Sequence, residues 1–106
     1  MRLGVCKPEQ TVEAQLEHCG QEFEELVKAM AIYRNAANGK NRAEVLFEAI
    51  DCIACIWTLI YMLFKRDEVV AGVRYVNSKN FVRGYLADPE DFDPEDDDDE
   101  ISEVEP

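Results

Sequence analysis

Apolar side chains recur at steps of four and three from Val12 through Leu16, Cys19, Phe23, Leu26 and Met30 to Tyr33. That spacing lays one continuous stripe along a helix and predicts α-helix over about 8–34. Pro8 suits the first helical position, where a missing N–H costs nothing, and Glu9 favours the same end electrostatically. Gly20 weakens the helix locally, by about 1 kcal/mol relative to alanine. Gln15, His18, Glu22 and Glu25 line the edge of the stripe, where they can face a partner helix without being its core. The segment 35–40 then breaks the pattern. Its Asn38-Gly39 pair tolerates positive φ and suits a short helix–helix connection.

A second helix is predicted over about 41–65. From Ala49 onward Asp51 is the only charge before Lys65, and Ile50, Ile53, Ile56, Trp57 and Ile60 leave almost no polar face. A helix apolar all round is surrounded by protein. Two other short helices cannot cover every side of it, and burying a large apolar side chain is worth about 1.5–3 kcal/mol. The pattern therefore predicts self-association, with this helix packed against its symmetry mate. Lys65 and Arg66 complement the helix end, and Asp67 can cap a third helix of about 68–86. Its core side is expected to hold Val69, Val70, Val73, Val76 and Phe81, with Arg74, Asn77, Lys79, Asn80 and Arg83 on its other sides. The expected fold is all-α: three main helices per chain, completing a four-helix-bundle-type core through homodimerisation.

Charge divides the chain at the same place. Residues 1–85 of the 106 hold 11 acids and 11 bases, so the formal −12 belongs entirely to residues 86–106, with 12 acids and no bases. The domain is thus expected over 1–86, followed by an acidic, disordered tail over 87–106. A balanced domain has no basic nucleic-acid footprint, and no nucleic-acid binding is expected. Residues 1–10 contain no apolar signal-type run, and the strongest apolar run, residues 52–64, is shorter than the roughly 18–20 residues that span a bilayer. A soluble, cytoplasmic protein without a membrane contact is the simplest expectation. Cys52 and Cys55 form a CxxC, but inside an apolar helical run, where thiols are buried and inert. Small buried residues explain these cysteines better than zinc or redox chemistry does.

The chemistry lies in two carboxylate pairs, Glu22 with Glu25 and Glu48 with Asp51, each spaced i,i+3. Such residues share a helix face, about 5–6 Å apart. Two antiparallel helices folding back near residue 36 bring Glu22 level with Asp51 and Glu25 level with Glu48. Four like charges between packed helices repel one another and lose hydration, so the arrangement calls for a cation. Oxygen-only ligation favours Mg²⁺ over Zn²⁺. Asp51 is the most telling member, because an ionised carboxylate among Ile50, Cys52 and Ile53 is costly without a partner. Each pair taken alone fits an ordinary solvated face or a buried ion pair; their mirror register is what points to a metal. On the third helix Lys79 and Arg83, spaced i,i+4, share a face suited to a polyphosphate.

Three segments, Gln21-Glu22-Phe23-Glu24-Glu25-Leu26, Glu48-Ala49-Ile50-Asp51 and Lys79-Asn80-Phe81-Val82-Arg83, together resemble the MazG-like nucleotide pyrophosphohydrolases of the all-α NTP pyrophosphatase superfamily. The family pattern is an ExxE, an ExxD and a KNxxR-like segment in that order, and the resemblance covers about residues 8–86. It implies that Glu22, Glu25, Glu48 and Asp51 coordinate Mg²⁺, with Mn²⁺ a possible substitute, and carry the catalysis. It implies that Lys79, Asn80 and Arg83 contact the phosphates. The implied reaction hydrolyses a nucleoside triphosphate between the α- and β-phosphates, giving the monophosphate and pyrophosphate. Dimers or dimers of dimers are implied as well. The chain departs from the pattern at Gln21, where members often carry an acid, and only residues 1–7 stand where members usually have a further helix. Two other readings compete: a phosphoribosyl-ATP pyrophosphohydrolase-like enzyme, and a non-catalytic helical interaction module whose acidic tail engages a basic partner.

Overall fold

A computed structural model describes residues 3–85, so the tail expected over 87–106 lies outside the described residues. Three α-helices and no strands make up the described chain: α1, Val12–Asn35; α2, Gly39–Leu63; α3, Arg66–Val82. The all-α expectation holds. The chain divides into two compact units, one over Val5–Leu63 that contains α1 and α2, and one that contains α3.

The helix ends differ from the sequence expectation, each for a local reason. Helix α1 starts at Val12 rather than near Pro8, because the Thr11 side chain accepts the Ala14 N–H at 3.0 Å and caps the first turn. At the turn between α1 and α2 no positive φ is used. Asn38 instead caps α2, its Oδ1 accepting the Asn41 N–H at 2.9 Å, while Asn41 Nδ2 donates to the Ala36 carbonyl. Lys65, not Asp67, holds the N-cap position of α3, and its N–H donates to the Glu68 carboxylate at 2.9 Å. Helix α3 stops at Val82 because Gly84 takes a φ of 74°, closing the end with Gly84 N–H to Phe81 O and Tyr85 N–H to Asn80 O.

Packing between α1 and α2 uses one edge of the expected stripe: Cys19 is buried and Val12, Leu26 and Tyr33 are half-buried. The buried residues of α1 are Gln15, Cys19 and Ala29, and those of α2 are Cys52, Cys55 and Thr58. All but Gln15 are small, so the two backbones meet along a thin seam. Three large members of the stripe point away: Leu16 is 60% exposed, Phe23 57% and Met30 43%. On α2, Leu46, Phe47, Ile50, Ile53 and Ile56 are likewise exposed. Within α3 only Val69 is buried, Val70 and Val73 are half-buried, and Val76 and Phe81, expected in its core, are exposed.

As a whole, α2 is long and apolar enough to cross a bilayer by length and composition, with a best window of mean hydropathy 1.8. It is a longer stretch than the apolar run of residues 52–64 alone. Helix α2 nevertheless carries Glu48 and Asp51, and acids at membrane depth are costly without partners.

Candidate metal centre

Near the middle of the α1–α2 seam, three carboxylates converge. Glu22 from α1 and Glu48 and Asp51 from α2 offer oxygens that all lie within 4.8 Å of one another. The local cause is helical spacing. Glu22 follows Cys19 by one turn, Asp51 precedes Cys55 by one turn, and Cys19 Sγ lies 3.4 Å from Cys55 Sγ. The sulfur contact fixes the register in which Glu22 and Asp51 face each other. Glu22 and Glu48 are half-buried, whereas Asp51 is exposed, so the group opens to solvent on one side.

Glu25, the fourth expected ligand, is not in this group. It is 54% exposed, and its carboxylate lies 3.7 Å from Lys28 Nζ, an i,i+3 ion pair. Glu25 and Glu48 share the lining of a neighbouring cavity of about 260 Å³. Glu25 still acts on Glu48 through space. Burial, followed by the charges of Asp51, Glu22, Glu25 and Glu44, pushes the Glu48 carboxyl above its ordinary value. Among the described residues no basic side chain is paired with Glu48 or Asp51.

Glu22 has a partner of a different kind. His18, one turn before it, places Nε2 3.2 Å from Glu22 Oε1 and Nδ1 3.3 Å from Glu9 Oε2. The imidazole thus stands between two carboxylates, with one ring nitrogen facing each. The i,i+4 spacing of His18 and Glu22 was readable in the sequence; the arrival of Glu9 was not, because it depends on how residues 5–10 fold back. That segment is tied at two points by the two most buried polar side chains. Gln15, 2% exposed, accepts the Glu9 N–H at 3.0 Å, and Thr58, 1% exposed, accepts the Cys6 N–H at 3.0 Å. Gln15 Nε2 in turn donates to the Cys55 carbonyl at 3.1 Å.

The cysteines are free thiols; Cys19, Cys52 and Cys55 are buried and Cys6 is exposed. Burial is the first cause that pushes Cys55 up to about 12, with the hydrogen bond to Cys19 adding to it, and burial also raises Cys52. Thiols held protonated in this way neither attack nor ligate readily.

Lys79, Asn80 and Arg83 lie on and just beyond α3, in the other unit. Lys79 and Asn80 are half-buried, and Lys79 Nζ sits 6.0 Å from the Tyr75 ring centroid. Arg83 is exposed at the helix end, where its N–H donates to the Lys79 carbonyl at 3.1 Å.

The donor set fits a hard cation. Octahedral Mg²⁺ holds oxygens at about 2.0–2.1 Å, which places them roughly 3–4 Å from one another. Oxygens that lie within 4.8 Å of one another are close to that spacing. Compared with known proteins, the chain matches no family model, no curated protein and no solved structure.

Proposed function

We propose that the chain is a Mg²⁺-dependent nucleoside triphosphate pyrophosphohydrolase, acting as a homodimer and releasing pyrophosphate and the nucleoside monophosphate. The observation that carries this reading is the meeting of Glu22, Glu48 and Asp51 across two helices. The ordered resemblance of three segments to the MazG-like enzymes supplies the reaction type.

Glu22, Glu48 and Asp51 would hold the ion, with Glu25 one turn from Glu22 joining after release from Lys28. When bound, the ion supplies Lewis acidity and charge neutralisation at phosphoryl oxygens. The chain's own groups do the rest. His18 keeps the Glu22 carboxylate aimed into the group. Glu48, half-buried beside the other two carboxylates, is proposed to accept a proton from an attacking water. Asp51 stands on the solvent side, where a triphosphate arrives. Lys79, Asn80 and Arg83 are proposed as phosphate contacts on the strength of the resemblance.

Support for the homodimer comes from the outer faces of α1 and α2, where Leu16, Phe23, Val27, Ile50 and Ile53 are exposed. The same faces would suit a non-catalytic interaction module, which is the second reading. One experiment separates them: pyrophosphate release from each common NTP and dNTP with Mg²⁺, for the parent and for Glu48→Gln. The enzyme reading expects turnover on at least one nucleotide and its loss in a folded Glu48→Gln protein. No release by the parent from any nucleotide, with Mg²⁺ or Mn²⁺, leaves the module.

A further inference from the structure

Beside the acidic group lies a pocket of about 230 Å³ lined by Cys6, Lys7, Gln15, His18, Glu22, Asp51, Ala54 and Cys55. Its walls have opposite character. One is acidic and is shared with the carboxylate group through Glu22 and Asp51; the other is the folded-back segment 5–10, which brings Lys7. That segment is anchored on both sides of Lys7, at the Cys6 N–H by Thr58 and at the Glu9 N–H by Gln15. Lys7 is therefore carried by an anchored backbone rather than a loose end. Both nitrogens of His18 already face carboxylates, whereas Lys7 has no acidic partner among the described residues.

Charge decides what such a pocket can take. Three ionised carboxylates and one divalent cation leave a site with a net single negative charge, which Glu25 would deepen on joining, and this repels an incoming phosphate chain. Lys7 is exposed and lines the pocket, so its ammonium can swing in to offset that repulsion, and a lysine meets phosphate as a mobile point charge. We infer that the pocket receives the phosphate chain of the metal-bound substrate, with Lys7 as a phosphate-binding residue supplied by the N-terminal segment. The inference rests on the metal reading above, and it adds a ligand contact outside the three segments that carry the family resemblance.

The test uses the full chain and imidodiphosphate, a pyrophosphate mimic that is not hydrolysed, titrated calorimetrically in 5 mM Mg²⁺. Mg²⁺ alone is followed separately by thermal unfolding. Lys7→Ala is expected to weaken imidodiphosphate binding about tenfold, or 1.4 kcal/mol. It should leave the Mg²⁺-induced rise in Tm at the parental value. Lys7→Arg should stay within about threefold of the parent. Lys40→Ala, which removes the same charge from the start of α2, should change binding by less than twofold. Parental affinity in Lys7→Ala overturns the inference, as does an equal loss in Lys40→Ala, which would reduce the effect to bulk electrostatics. Imidodiphosphate that binds the parent equally well in EDTA overturns it too. Failure of the metal reading has its own signature, a parent whose Tm does not respond to Mg²⁺, and the inference falls with it.

Discussion

Replacing Thr58 by valine keeps the shape of a 1% exposed side chain and removes its hydroxyl. Two hydrogen bonds go: the one accepted from the Cys6 N–H at 3.0 Å and the one donated to the Ala54 carbonyl at 2.8 Å. The second matters little, because a carbonyl inside a helix keeps its backbone partner and such back-bonding is close to neutral. The first is the anchor of the N-terminal segment. Cys6 is exposed, so water can reach the freed amide. The cost is then that of an ordinary bond, about 0.5–1.5 kcal/mol, rather than the larger cost of a stranded buried donor. A loss of about 1 kcal/mol lowers Tm by about 4–8 °C in a domain of this size. It also lowers amide-exchange protection at Cys6 roughly fivefold. Glu9, still held by Gln15, should lose less. Thr58→Ser retains the hydroxyl and loses only a methyl, so it should keep Cys6 protection even where Tm falls. Thermal unfolding and hydrogen exchange read these effects, and imidodiphosphate affinity should fall with Cys6 protection as Lys7 loosens. A Thr58→Val protein with parental exchange at Cys6 refutes the anchoring argument.

In metal-free buffer Glu48→Gln should be more stable than the parent at neutral pH. A carboxyl raised in the folded state adds stability below its ordinary 4.5 and loses it as pH rises through the raised value, so the advantage should vanish on acidification. Millimolar Mg²⁺ should reverse the order, and a parent that is the more stable in EDTA at pH 7 contradicts this. A thiol reagent at neutral pH should modify Cys6 quickly and Cys19, Cys52 and Cys55 only on unfolding, and a second fast equivalent would show that the seam is open. Ala29→Leu should cost about 1–3 kcal/mol by overfilling the seam, while Ala31→Leu on the exposed side of α1 should be nearly neutral; equal denaturation midpoints would refute the thin-seam packing. Phe23→Asp with Ile53→Asp should halve the sedimentation mass without loss of helicity, and a monomeric parent ends the dimer proposal.

Much of the hairpin was legible because its three signals are local. The periodicity of α1, the Asn-rich turn and the two i,i+3 acid pairs are all properties of helices and their ends, and they place Glu22, Glu48 and Asp51 together. The caps were less legible. Thr11, Asn38 and Lys65 each compete with a neighbour of similar propensity, and the choice depends on which side chain reaches a free N–H. The fold-back of residues 5–10 left no sequence signal, since it depends on Thr58 meeting the Cys6 N–H from the far end of α2 and on Gln15 being held against the Cys55 carbonyl. Glu25 illustrates the other limit. It lines one cavity with Glu48, yet Lys28 on the same helix competes for its carboxylate, and an unneutralised site gives it no reason to turn inward.

The shift of the seam to one edge of the stripe has one physical origin with two consequences. Reading apolar periodicity assumes that the largest side chains face the nearest neighbour, but interaxial distance is set by what lies at the contact. Here Ala29, Cys19, Cys52 and Cys55 occupy it, so the helices can run closer than leucine and phenylalanine would allow. Close approach is what lets the short Asp51 side chain reach Glu22 from the opposite helix. The large side chains thereby displaced, Leu16, Phe23, Val27 and Met30, form a second apolar face that the hairpin itself does not cover. The proposed site and the proposed dimer would therefore be coupled through one seam. A substitution that widens it, such as Ala29→Leu, should weaken Mg²⁺ stabilisation and tilt the outer face together. An Ala29→Leu protein that lost stability but kept the parental Mg²⁺ response would show that the two are independent.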